Sequence, residues 1–286
     1  MLALSFGLTA ALLWAMHDLL ARKLSQGVRL LPLIAVVLGA GCLALVPLAA
    51  IWGDWSTMSA GAWQAAIASG LAMSVAIGGL YKAFSLAPVR LVSPIIGAYP
   101  LLTLIIAAAQ GRVITPGDWL AVLLIVTGIA IVAIATRDDA PETYAAPPSV
   151  PIAWSILAAF GFATTFALAQ SATRLGSDMP VILVGRVAGL GVILTLIGWG
   201  RGPLLPARGQ IWVLAGMGLL DAVALGLVTA SGALPKAEYA SVSSSLFGVL
   251  TVFLATWVLK ESARPVQWFG IGTVFSGIAI LSLQGS

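Results

Sequence analysis

Charge is nearly missing from this sequence: Asp, Glu, Lys and Arg together make up 8% of its 286 residues. A water-soluble domain carries roughly 25%, so water is excluded as the solvent for most of the folded surface. Histidine and cysteine each occur once. His17 alone cannot build a histidine metal cluster, and Cys42 alone cannot close an intrachain disulfide. Nucleophile elbows, His-Glu metal motifs, phosphate-binding loops and dinucleotide fingerprints are all missing. No cofactor is therefore expected, and the chain is not read as an enzyme. The net charge of +4 is small and scattered between apolar runs, so it forms no nucleic-acid patch. A basic leader before the first apolar run is also lacking, which separates that run from a cleavable signal peptide.

Hydrophobic residues fill the space that charge leaves. They make up 60% of the chain, and the mean hydropathy is +1.07. About twenty apolar residues cross a bilayer core as a helix. Ten windows meet that length: 2–21, 30–52, 62–81, 91–109, 119–136, 152–173, 180–199, 211–232, 239–259 and 266–283. Charged or Gly/Pro residues separate them, as in Trp52-Gly53-Asp54 and Gly200-Arg201-Gly202-Pro203. Strands of a membrane barrel would be half as long and would alternate. Nine of the ten Trp fall at or near predicted helix ends, where the interface favours them, and Trp14 is the exception. The expectation is an all-α integral membrane protein with ten transmembrane helices, multi-pass in a cell (inner) membrane.

The longest polar stretch, Arg137 to Val150, is rich in Pro and acids and lies near the midpoint. It divides the chain into residues 1–137, a linker 138–150, and residues 151–286. The halves repeat. Trp63 and Trp212, Pro116 and Pro265, Trp119 and Trp268, and Gly128 and Gly277 are each 149 positions apart. Tyr99-Pro-Leu-Leu-Thr echoes Phe247-Gly-Val-Leu-Thr at an offset of 148. Five spans is an odd number, so a second half that begins on the opposite side inserts upside down. Two inverted five-helix repeats meeting at the midplane are the frame of many alternating-access carriers. The side reached after the odd-numbered spans holds ten Lys and Arg (Arg22, Lys23, Arg29, Lys82, Arg90, Arg137, Arg201, Arg208, Lys260, Arg264), against Arg112, Arg174 and Lys236 on the other. Positive residues stay inside, which places both termini outside.

Tyr81-Lys-Ala-Phe-Ser-Leu-Ala-Pro-Val-Arg-Leu-Val-Ser-Pro followed by Tyr99-Pro-Leu-Leu-Thr resembles the first-repeat signature of the EamA branch of the drug/metabolite transporter superfamily. Ala240-Ser-Val-Ser-Ser-Ser-Leu-Phe-Gly-Val-Leu-Thr, Leu259-Lys-Glu and Gln267-Trp-Phe-Gly-Ile resemble the second. The resemblance covers essentially the whole chain. It implies a central cavity lined mainly by spans one, three, four, six, eight and nine, and carriage of a small molecule. Two positions depart from the pattern: Arg112 stands where Glu is usual, and Gly248 where Pro is usual. Characterised relatives often keep both termini in the cytoplasm, contrary to the charge count here.

Polar groups inside spans are the functional candidates, because a charge at mid-bilayer costs roughly 2.5–3.5 kcal/mol. Asp221, midway along the eighth span, is a cavity site, the partner of Arg186, whose depth differs by about 6 Å, or both at once. Arg186 also belongs to Gly185-Arg-Val-Ala-Gly189, a small-xxx-small face suited to close packing. Asp18 has Arg22 four residues on, and a surface ion pair accounts for it. His17 and Trp14 are three residues apart, on one helix face, where they offer an aromatic platform and a hydrogen bond; helix packing alone explains them equally well. Lys82 snorkels to the interface. Pro94 and Pro100 break the fourth span and supply a hinge. Thr164 and Thr165 sit midway in the sixth span, and Ser241, Ser243, Ser244 and Ser245 open the ninth. The expected substrate-binding residues are Trp14, His17, Tyr81, Tyr99, Thr164, Asp221 and Ser244.

The expected function is a secondary carrier of a small metabolite, amino-acid-like or vitamin-like. Coupling to a proton or a counter-substrate is compatible with it, and the protein is expected as a monomer or homodimer in the lipid bilayer. The alternative is an intramembrane enzyme or a passive channel, yet Asp221 is the only one of ten acids deep in a span.

Overall fold

The computed structural model describes residues 2–99, 101, 102, 105, 108, 115–136, 145–231, 244 and 246–284. Pro100, Arg112, most of the linker, and Ser241, Ser243 and Ser245 lie outside them. The described residues are helical with no strand. In chain order they form α1 (Leu2–Leu24), α2 (Leu30–Trp52), α3 (Ala60–Leu86), α4 (Val89–Gly97), α5 (Pro116–Thr136), α6 (Ser149–Thr173), α7 (Asp178–Trp199), α8 (Ile211–Ser231), α9 (Phe247–Leu254) and α10 (Pro265–Gln284). A π-helical turn, Ala255–Leu259, prolongs α9 and ends at Lys260, whose φ is 58°. Five helices are long and apolar enough to cross a membrane: Leu30–Trp52, Ala60–Leu86, Ser149–Thr173, Asp178–Trp199 and Arg208–Val228. The chain is a multi-pass helical membrane protein.

Local chemistry sets several boundaries. Ser59 caps α3 by accepting from the Ala62 N–H at 3.1 Å, and its hydroxyl satisfies one of the free N–H groups of the first turn. At 27 residues α3 runs past the expected window at both ends, to about 40 Å. It stops where Pro88 forces Ala87 into extended backbone. Only nine residues follow in α4, with Pro94 inside it; half of the remainder of the expected fourth span lies outside the described residues.

Helices of the two halves pack on one another through small residues. α3 runs antiparallel to α6: Gly79 lies on Trp154 and Ala158, and Gly161 on Ala76. α5 and α10 are antiparallel in the same way, with Gly128 against Gly270 and Gly277 against Ala121. α2 is antiparallel to α7, Gly53 meeting Pro180 and Gly41 meeting Arg186. The face Gly185 to Gly189 lies on Ala66 and Gly70 of α3, the close approach its small residues permit. α1 packs on α8 and α9, and α4 on α6 and α9. Buried hydroxyls bridge these contacts: Ser69 donates to the Thr165 carbonyl at 3.1 Å, and Ser74 to that of Gly189 at 3.2 Å. Trp52, Trp199 and Trp212 stand exposed at helix ends, whereas Trp14 faces inward.

Candidate functional site

A cavity of about 50 Å³ opens between the two halves. Its walls come from α1 (Trp14, His17, Asp18), α3 (Met73, Ile77, Leu80), Tyr99 just beyond α4, α6 (Phe162, Phe166), α8 (Asp221, Leu225) and α9 (Phe247). These are the six elements that the sequence resemblance implies.

Trp14 and His17 share this wall because three residues on a helix return to nearly the same face. The Trp14 indole donates from Nε1 to Asp221 Oδ1 at 2.9 Å. The other carboxylate oxygen accepts from the Arg186 guanidinium. Both readings of Asp221 therefore hold at once: it is paired with Arg186 and it faces the cavity. Arg186 itself is 2% exposed and does not line the space. Its Nη1 lies against Gly41 of α2, where a methyl group would come within 2.3 Å.

His17 Nδ1 lies 3.1 Å from Asp18 Oδ1. An ionised Asp18 carboxylate only accepts; beside it, Nδ1 of a neutral His17 carries the shared proton and Nε2 is an acceptor. That Nε2 is buried without a hydrogen-bond partner among the described residues, as is the Tyr81 hydroxyl. The two rings meet edge to face with centroids 6.1 Å apart. The opposite wall is aromatic: Tyr99 and Phe162 pack on Phe166 at 5.2 and 6.3 Å, and Trp14 contacts Phe166 and Phe247 at 6.5 and 6.1 Å.

Of the seven residues expected at the site, Trp14, His17, Tyr99 and Asp221 line the cavity. Tyr81 is fully buried behind His17. Thr164 is half-buried on α6 away from the wall, and Ser244 is buried off it. The surface pair expected for Asp18 is not formed. Asp18 is buried and bonds His17, while Arg22 reaches Glu261 at 2.9 Å and the Phe84 carbonyl at 2.6 Å. The i,i+4 rule considers one helix alone, and here a second element offers Arg22 a better carboxylate. Glu261 Oε2 also accepts from the Val89 N–H at 2.8 Å, tying the end of α1 to the α3–α4 junction. Phe162 and Phe166 belong to the wall but carry no sequence signal separating them from lipid-facing aromatics, whereas Phe247 is the repeat counterpart of Tyr99.

The model of a family described as the EamA-like transporter family matches residues 1–134 and again 149–283. A solved structure described only as "Crystal structure of protein" is 17% identical with a TM-score of 0.66, over 99% of this chain and 96% of that one. At that identity the likeness is one of fold. No curated protein matches the sequence.

Proposed function

The chain belongs to the EamA-like transporter family, and from that premise we propose that it is a secondary carrier of a small metabolite, amino-acid-like or vitamin-like, working by alternating access in a bacterial-type inner membrane. The observation that carries this reading is the cavity, whose wall is shared between the first half (α1, α3, Tyr99) and the second (α6, α8, α9). A site between two moving halves changes access when they rock.

Ten spans in two inverted repeats complete the proposal. Its support is in the packing. Exchanging each helix for the one five places along turns α3–α6 into α8–α1, α3–α7 into α8–α2, and α1–α9 into α6–α4, and all of these pairs are in contact. α2–α7 and α5–α10 map onto themselves and run antiparallel, as equivalent helices of inverted repeats must. Coupling to a proton or a counter-substrate, in a monomer or homodimer, is part of the same proposal.

The experiment is uptake by purified protein in proteoliposomes, using metabolites that raise its melting temperature. Saturable, stereospecific uptake of the unchanged compound is expected. Release of a chemical product would favour an intramembrane enzyme, and flux that never saturates a channel.

A further inference from the structure

The electrostatics of the cavity wall narrow the substrate class. Two carboxylates face the space, Asp18 and Asp221. Asp221 is neutralised by Arg186, and both of its oxygens are engaged, one by that guanidinium and one by Trp14. Asp18 has no cation among the described residues other than what His17 supplies if protonated; Arg22, on its own helix, is committed to Glu261. With Asp18 ionised and His17 neutral, its ring edge-to-face with Tyr81, the wall carries one net negative charge among the described residues. An uncompensated charge in a low-dielectric site is costly, so a monocation restores the balance.

Hydrogen bonding points the same way. In the neutral ring His17 Nε2 is an acceptor, on a residue 5% exposed, with no hydrogen-bond partner among the described residues. A buried acceptor calls for a donor. Among the described residues the cavity wall offers no matching cation to a carboxylate: Arg186 stands behind Asp221, with Nη1 on Gly41. Trp14 stands beside Asp18 and His17 on α1, and Tyr99, Phe162, Phe166 and Phe247 line the same space; such rings attract both an apolar ring and a cation near their faces.

We infer that this cavity binds a monocationic amine with an aromatic body, its ammonium held by Asp18 and His17 Nε2 and its ring packed among Trp14, Phe166 and Phe247. The inference rests on the carrier reading only for calling the ligand a substrate; the recognition chemistry stands on the wall residues. It narrows "amino-acid-like" to compounds that keep the ammonium and lack the carboxylate.

The test is equilibrium binding to the full chain in lipid nanodiscs, with four probes of one skeleton: phenethylamine, phenylalanine, 3-phenylpropionate and 2-phenylethanol. Phenethylamine is expected to bind most tightly, by roughly tenfold or more over the propionate, as a charge-assisted hydrogen bond gives. Asp18→Asn should remove that preference while 2-phenylethanol binds within about threefold of the parent. Equal or tighter binding of the propionate or of phenylalanine overturns the inference on the unmodified protein, whether or not the variant folds. Undiminished amine preference in a folded Asp18→Asn protein overturns it as well. Tight amine binding without transport would leave the recognition chemistry standing and remove the carrier reading; saturable transport of an anion would do the reverse.

Discussion

The Trp14 indole and the Asp221 carboxylate meet at 2.9 Å across the junction of the two halves. One sits on the first helix of the first half, the other on the third helix of the second. Because Arg186 holds the remaining carboxylate oxygen, three helices converge on one partly buried acid beside the cavity. The charge that looks costly in the sequence is thus compensated twice, once by a full charge and once by a dipole.

Breaking that arrangement from one side is expected to be costly. Arg186→Leu strands the Asp221 carboxylate and should lower stability by about 3–5 kcal/mol, as loss of one partner of a buried pair does. Adding Asp221→Asn removes the stranded charge and should recover the melting temperature. The double variant is expected to fold and to lose uptake, since the Asp221 carboxylate lines the cavity. Full uptake by a folded double variant would remove Asp221 from the site.

Helix packing gives an internally controlled comparison. A methyl on Gly70 would sit 2.1 Å from the Gly185 carbonyl oxygen, and one on Gly218 would sit 2.2 Å from that of Val37. Backbone cannot step aside as a side chain can, so Gly70→Ala and Gly218→Ala should each destabilise by about 1–3 kcal/mol. Gly78 and Gly216 have open space at the same atom. Their alanine variants should melt at or slightly above the parent temperature, because alanine favours helix. Equal melting of all four would contradict the close α3–α7 and α2–α8 contacts.

Glu261 joins elements from both halves through Arg22 and the Val89 N–H. Glu261→Ala should lower stability by about 2–3 kcal/mol, the range for hydrogen bonds to charged groups. Lys23→Ala, an exposed basic residue one position from Arg22, should stay within about 0.5 kcal/mol of the parent. Thermal unfolding of the two variants side by side checks the difference.

Orientation follows from the ten-to-three excess of basic residues. A reporter active only outside the cytoplasm should work when fused after Ser286 and fail when inserted within residues 140–149. The opposite pattern would invert the orientation without touching the fold.

The spans were legible because hydropathy depends on little besides composition and length, and α2 begins and ends where its apolar run does. The duplication was legible from spacing alone. At the site, Trp14 and His17 were readable because helical periodicity puts them together, and Arg186 with Asp221 because depth along a helix is countable. Asp18 was misread because its neighbour Arg22 is taken by Glu261, 239 residues away, a contact that only the folded chain creates. Phe162 and Phe166 were invisible for another reason. In an apolar span, an aromatic ring looks the same in sequence whether it meets lipid or substrate.

Alternate exposure of one cavity by the two halves is decided by counterflow. Proteoliposomes holding the full chain are loaded with an excess of unlabelled substrate and diluted into a trace of the labelled compound. A carrier should drive transient accumulation of label above its equilibrium level, because the excess internal compound competes with the label for the inward-facing site and slows its exit. Label that rises only to equilibrium, at a rate indifferent to the internal compound, would contradict alternating access.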